Sequence, residues 1–90
     1  MKEIIFTFHA RQRMLERGVK EKDAIAAINQ GLREPAQRGL YQYRLNIEYN
    51  KVWDGRYYGI QQIGPVVAEE ENRFVVVTVY AFYFSEGEEK

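Results

Sequence analysis

Ninety residues, 46% hydrophobic and 29% charged, describe a single domain of ordinary soluble composition, 1–90. The absence of cysteine excludes disulfides and thiolate metal sites, no apolar run approaches the ~20 residues of a membrane span, and no secretory signal opens the chain, so a cytoplasmic address is expected. Zero net charge conceals nine Lys/Arg against six Asp/Glu in residues 1–50 and four against seven in residues 51–90, so a polyanion would meet one face, not the whole molecule.

In chain order, Ile4 to Phe6 reads as a short edge strand and Thr7 as the N-cap of a helix from Phe8 to Arg17. Ala10, Met14 and Leu15 turn toward the core side of that helix; His9, Arg13, Glu16 and Arg17 turn away. Arg11 falls between Met14 and Leu15 on the wheel, so either its stem lies along apolar surface or the buried face is narrow. Gly18 suits a left-handed helix stop. A second helix, Glu21 to Gln30, carries the stripe Ala24, Ile25, Ala27 and Ile28, with Glu21 and Asp23 complementing its dipole. Val19-Lys20 provides no good cap for it. Gly31 ends it, and Leu32 to Gly39, with Pro35, reads as a surface loop.

The hydrophobic period then changes from 3.6 to 2. Tyr41, Tyr43, Leu45, Ile47 and Tyr49 alternate with Gln42, Arg44, Asn46 and Glu48, the pattern of a half-buried strand. Asp54-Gly55 signals a hairpin turn. The return strand, Arg56 to Ile63, should bend or break at Gly64-Pro65, with Val66 to Ala68 continuing after a bulge. Glu69 to Asn72 forms a second turn. Arg73 to Phe84 is almost continuously apolar and reads as a central strand covered on both faces. The acidic tail, 85–90, is expected to fray. The resulting fold class is α+β: two helices packed on an antiparallel sheet of three to four strands.

His9, Arg13 and Arg17 stand four residues apart, a spacing that lines them along one helix ridge. His9 is the only histidine. An imidazole on the first turn of a helix is a candidate general base. The alternative is a polar first-turn residue with no task. Arg13 and Arg17 can fork onto phosphate oxygens, or can pair with acids such as Glu16 and Glu21. Seven tyrosines fall on predicted strands, and an aromatic sheet face near arginines can stack unpaired bases, although most such rings belong to cores. Tyr80 and Tyr83 fall on opposite strand faces, and Arg44 and Arg56 are further strand cations that could border a cleft. No Gly-rich phosphate loop, Ser-His-Asp order or calcium-binding loop is present, no metal site is expected, and no cofactor is implied.

The string Thr7-x-His9-Ala10-x-x-Arg13-Met14-x-x-Arg17-Gly18-Val19, with the strand Val76-Val77-Thr78-Val79-Tyr80 near the other end, resembles the domain-of-unknown-function family DUF4258. The resemblance covers about residues 5 to 82. Lys20 stands where that family usually places a Ser or Thr cap, and the stretch from Gly39 to Val67 is less typical of it. The resemblance implies a compact toxin-type ribonuclease of RelE-like or barnase-like fold, acting on RNA without metal; a cognate antitoxin protein is a partner such a domain could have, and the sequence does not reveal one. In that scheme His9 takes the 2′-OH proton, Arg13 and Arg17 hold the non-bridging oxygens, and Tyr80 donates a proton or contacts a base. Arg44 and Arg56 would line the RNA path. Two other readings are a non-enzymatic module binding RNA or a protein, and a structural domain that forms a homodimer through its sheet edge.

Overall fold

The computed structural model describes residues 2–85. A short strand, β1 (Glu3–Phe6), leads into helix α1 (Phe8–Arg17), and helix α2 (Glu21–Gln30) follows after a tight turn. Strand β2 (Leu32–Pro35), a 3₁₀ turn (Gln37–Gly39), and the long strands β3 (Tyr41–Trp53), β4 (Arg56–Glu69) and β5 (Arg73–Phe84) complete the chain. The strands form one five-stranded sheet in the order β1-β5-β4-β3-β2. β1 runs parallel to β5 and every other pairing is antiparallel.

This corrects the expected antiparallel sheet of three to four strands of the RelE-like or barnase-like kind: the sheet has five strands and is mixed. Two features caused the difference. Leu32–Pro35 is an edge strand, not a loop, and pairs with β3 from Leu32 opposite Arg44 to Pro35 opposite Tyr41. A polar four-residue segment ending in proline carries no alternation, but an edge position tolerates both its charges and its missing N–H. The parallel placement of β1 beside β5 depends on a partner some seventy residues away, which periodicity does not reveal.

Local chemistry fixes α1 closely. The Thr7 hydroxyl accepts from the Ala10 N–H at 3.0 Å, and the same oxygen donates to the Val77 carbonyl at 3.4 Å, tying the helix start to β5. At the other end Gly18 adopts φ 73°, while the Gly18 and Val19 N–H groups bond the carbonyls of Leu15 and Met14. The buried face of α1 is the narrow one, Ala10 and Met14 alone. Leu15, expected inside, is 84% exposed. Arg11 reaches out to Glu21 at 2.6 Å, with its guanidinium carbon 5.2 Å from the Phe6 ring centroid. Helix α2 starts at Lys20 without a side-chain cap, and buries Ala24, Ala27 and Ile28. The alanines let both helices sit close against Ile63, Val67, Val76 and Val79, all without exposure. Burying each such aliphatic side chain contributes about 1.5–3 kcal/mol.

Two irregularities shape the sheet. β4 runs unbroken through Gly64-Pro65, contrary to expectation, and Pro65 pairs with Val79 of β5. The cost appears on its other side, where the β3 ladder skips the positions opposite Gly64 and Pro65, and the Gln42 side chain donates to the Gly64 carbonyl at 3.2 Å. The second irregularity is a bulge on β5. Val67 lies opposite Val76 and Val66 opposite Thr78, leaving Val77 as the extra residue. A one-residue slip exchanges the two faces of a strand. Phe74 and Val76 therefore point at the core before the bulge, and Val79 and Ala81 after it. Tyr80 and Phe82 are turned outward, 41% and 42% exposed, so β5 is not covered on both faces, and the middle strand of the sheet is β4. The tail expected to fray lies, apart from Ser85, outside the described residues.

A polar clamp joins β2, β3 and β4. Arg33 donates to Glu69 through Nε at 3.0 Å and Nη2 at 2.8 Å, and the Tyr43 hydroxyl donates to the same carboxylate. The Arg33 hydrogen bonds hold the Glu69 carboxyl below its ordinary value against the opposing effect of burial, with Tyr43 adding to the depression. Burial and the neighbouring carboxylate push the Tyr43 hydroxyl up. A depressed carboxyl stabilises the fold above the unfolded-state value of about 4.3, and that contribution disappears as pH falls through the lower folded value. Denaturant melts of the parent and Glu69→Gln should therefore differ at pH 7 and draw together as pH falls from about 4 through the depressed folded value. A difference that stays constant across that range would remove the ionised clamp from the account.

Candidate functional site

Helix α1 lies along the free edge of β5 beyond the point where β1 ends. It is anchored at Val77 through Thr7, and at its far end the Tyr83 hydroxyl donates to the Arg17 carbonyl. Arg17 then reaches over the edge. Its Nη1 donates to the Val79 carbonyl at 2.8 Å, and its guanidinium carbon lies 4.8 Å from the Tyr80 ring centroid. Among the described residues no carboxylate lies within ion-pair distance of Arg17. A cation from the helix and an exposed ring from the outer sheet face are thereby brought together.

The outer face carries a shallow groove of about 650 Å³ running from the 3₁₀ turn to β5. Arg38, Gln42, Arg44, Thr78 and Tyr80 are among its walls and floor. A second depression of about 430 Å³ shares Arg44 and is bounded by Gln62, Phe82 and Phe84. Tyr80, Phe82 and Phe84 alternate along β5, so their side chains repeat at about 6.8 Å. Arg44 donates to Glu34 at 2.5 Å, Gln42 at 3.1 Å and Gln62 at 3.2 Å, with its guanidinium 5.9 Å from the Phe82 ring. That network holds the cation over the middle of the face. Flat rings beside fixed guanidiniums and amide groups suit a chain of planar heterocycles joined by anions.

Arg13 does not stand free: it pairs with Glu16 at 2.7 Å. Exposed i,i+3 pairs of this kind contribute only about 0.2–0.5 kcal/mol, so a phosphate can displace the carboxylate. His9 is exposed on the first turn and forms no hydrogen bond or ion pair among the described residues. It stands eight residues from Arg17, about 12 Å along the helix axis. At that separation the two do not meet on one phosphate. Arg56 lies at the hairpin end, 5.5 Å from the Tyr58 ring, and is not among the residues lining either depression.

Sequence reasoning named Arg17, Arg44 and Tyr80 but passed over Arg38, Gln42, Gln62, Phe82 and Phe84. The alternation of Tyr80, Phe82 and Phe84 was the available signal, hidden within an apolar run that read as wholly buried. Among the described residues no three His, Asp or Glu side chains converge as a metal site, and no helix is long and apolar enough to cross a membrane. A family model described as Domain of unknown function (DUF4258) matches residues 6–81. No curated protein and no solved structure matches the chain.

Proposed function

The chain belongs to the domain-of-unknown-function family DUF4258, and we propose that it binds single-stranded RNA across the outer face of its sheet. The observation carrying this reading is the Arg17–Tyr80 pair at the rim of a groove that also holds Arg44, whose guanidinium reaches toward Phe82 in the adjoining depression. Bases stack on Tyr80 and Phe82, while Arg17 and Arg38 take the phosphates. The α1 ridge borders this path, and Arg13 exchanges Glu16 for a phosphate oxygen.

Binding should weaken steeply with salt, because each phosphate contact releases counterions. Tyr80→Ala removes an exposed ring without touching the core, and should weaken binding of a short unstructured RNA by about 5- to 100-fold, as loss of one stacked base does. Fluorescence anisotropy at low salt measures both effects. Absence of binding by the parent protein, or full affinity in the variant, would reject the groove.

A cleavage reading is favoured by the exposed, unengaged imidazole of His9. There His9 takes the proton of a ribose 2′-OH as its oxygen attacks the adjacent phosphorus, Arg13 one turn away holds a non-bridging oxygen, and water supplies a proton to the departing 5′-oxygen. Loss of cleavage with retained binding in His9→Ala supports it. Intact RNA after incubation with parent protein leaves a binding module.

A further inference from the structure

A separate depression of about 600 Å³ opens on the other side of the β5 edge, between the end of α1 and the β3–β4 hairpin, lined by Glu16, Arg17, Trp53, Asp54, Ala81 and Tyr83. Its construction begins at the hairpin. Asp54 and Gly55 both take positive φ, 54° and 83°, the two-residue turn that fits the strand twist. This folds Trp53 back onto Tyr83, with centroids 5.3 Å apart and planes 15° apart. The indole lies so close to Gly18 that an added Cβ there would stand 2.5 Å from it. Trp53 is therefore a fixed plate held by a ring and by a residue without a side chain. Tyr83 is fixed in turn, donating to the Arg17 carbonyl and accepting from Gln61 at 2.9 Å.

The charges around this plate are unequal in their commitments. Glu16 is engaged by Arg13, whereas Asp54 has no hydrogen-bond or ion-pair partner among the described residues. Arg17 stands on the rim and also touches Tyr80 on the outer face, so one cation joins the two depressions. A flat surface, a free carboxylate and a shared guanidinium define what fits. A carboxylate offers two parallel acceptors and no donor. Among the four bases only guanine presents two adjacent donors, N1–H and the 2-amino group, to match it. Adenine and cytosine present one amino donor beside a lone pair, and uracil one N–H between two carbonyls; each sets an acceptor against the carboxylate.

We infer that this depression is a guanine subsite: the base lies against Trp53, its N1–H and 2-amino group donate to Asp54, and Arg17 takes the phosphate that leads to the outer groove. This rests on the RNA-binding reading and adds a base preference to it. A bidentate contact of this type discriminates on the order of tenfold between bases.

Trp53 is the only tryptophan, so its fluorescence reports this subsite alone. Titration with the four nucleoside 5′-monophosphates should quench it at a half-saturation about tenfold lower for GMP than for AMP, CMP or UMP. Inosine 5′-monophosphate, which keeps N1–H and lacks the 2-amino group, should fall between. Asp54→Asn keeps a residue suited to positive φ and should remove the preference, while an oligonucleotide free of guanine binds as before. Equal response to all bases in the parent, or a preference that survives Asp54→Asn, overturns the subsite even if RNA still binds in the groove. A GMP preference in a protein that binds no RNA polymer would keep the subsite and retire the groove.

Discussion

Gly31→Ala is expected to destabilise the domain by about 3 kcal/mol, at the upper end of what overpacking costs. Gly31 follows the last residue of α2, in extended conformation at φ −79° and ψ 171°, so backbone strain is not the reason. The reason is space. A Cβ on Gly31 would stand 2.5 Å from the Ala27 carbonyl oxygen and 2.6 Å from that of Arg44. Both obstacles are backbone, one belonging to the helix and one to β3, and neither can swing aside as a side chain does. Relief would require α2 to lift from the sheet, and α2 carries Ala24, Ala27 and Ile28 into the core. For a domain of this size 1 kcal/mol corresponds to about 4–8 °C, so melting should fall by about 12–24 °C. Calorimetry decides it: a variant melting within a few degrees of the parent would mean that the helix end yields easily.

Gln61→Ala should cost a similar amount, about 3 kcal/mol, through a different mechanism. Gln61 is 1% exposed and its Nε2 donates to the Gly18 carbonyl at 3.1 Å and to the Tyr83 hydroxyl at 2.9 Å. The Tyr83 hydroxyl donates in turn to the Arg17 carbonyl. The carbonyls at the end of α1 are thus satisfied by two strands on which the helix rests. Truncation leaves a cavity and an acceptor without a donor. Burial pushes the Tyr83 hydroxyl up, opposed by the Gln61 hydrogen bond, so the phenol stays protonated and keeps its role as donor at neutral pH. Tyr83→Phe should destabilise less, and the double variant should cost less than the two singles together, since both act on one network. Simple additivity in chemical denaturation would show the two side chains to be independent.

Much of the local structure was legible in residues 3–31 and at the hairpin. Thr7, Gly18 and Asp54-Gly55 act through their own backbone and near neighbours, so their chemistry can be read without knowing the fold. Leu15 misled because a single helix wheel does not give the width of the contact; Ala10 and Met14 alone meet the sheet. The strand at Leu32–Pro35 was hidden because its signal resides in β3, which supplies the pairing. For the candidate site, the ridge of His9, Arg13 and Arg17 follows from spacing. The joining of Arg17 to Tyr80 does not, since it depends on α1 lying at the β5 edge. Trp53 and Asp54 read only as turn residues, because their relation to Arg17 is made by the curl of a hairpin across more than thirty residues of chain.

The extra residue at Val77 divides β5 into two lengths with opposite phase. Up to Val76 the strand is held between β1 and β4; beyond it, β1 is replaced by the flank of α1. Chemical change at positions 80 and 82 is thereby uncoupled from the hydrophobic interior, although both belong to a strand that contributes Val76 and Val79 to it. Substitutions at 80 and 82 would alter the outer surface while Thr7 on Val77, Arg17 on Val79 and Tyr83 on the Arg17 carbonyl still hold α1 to the strand.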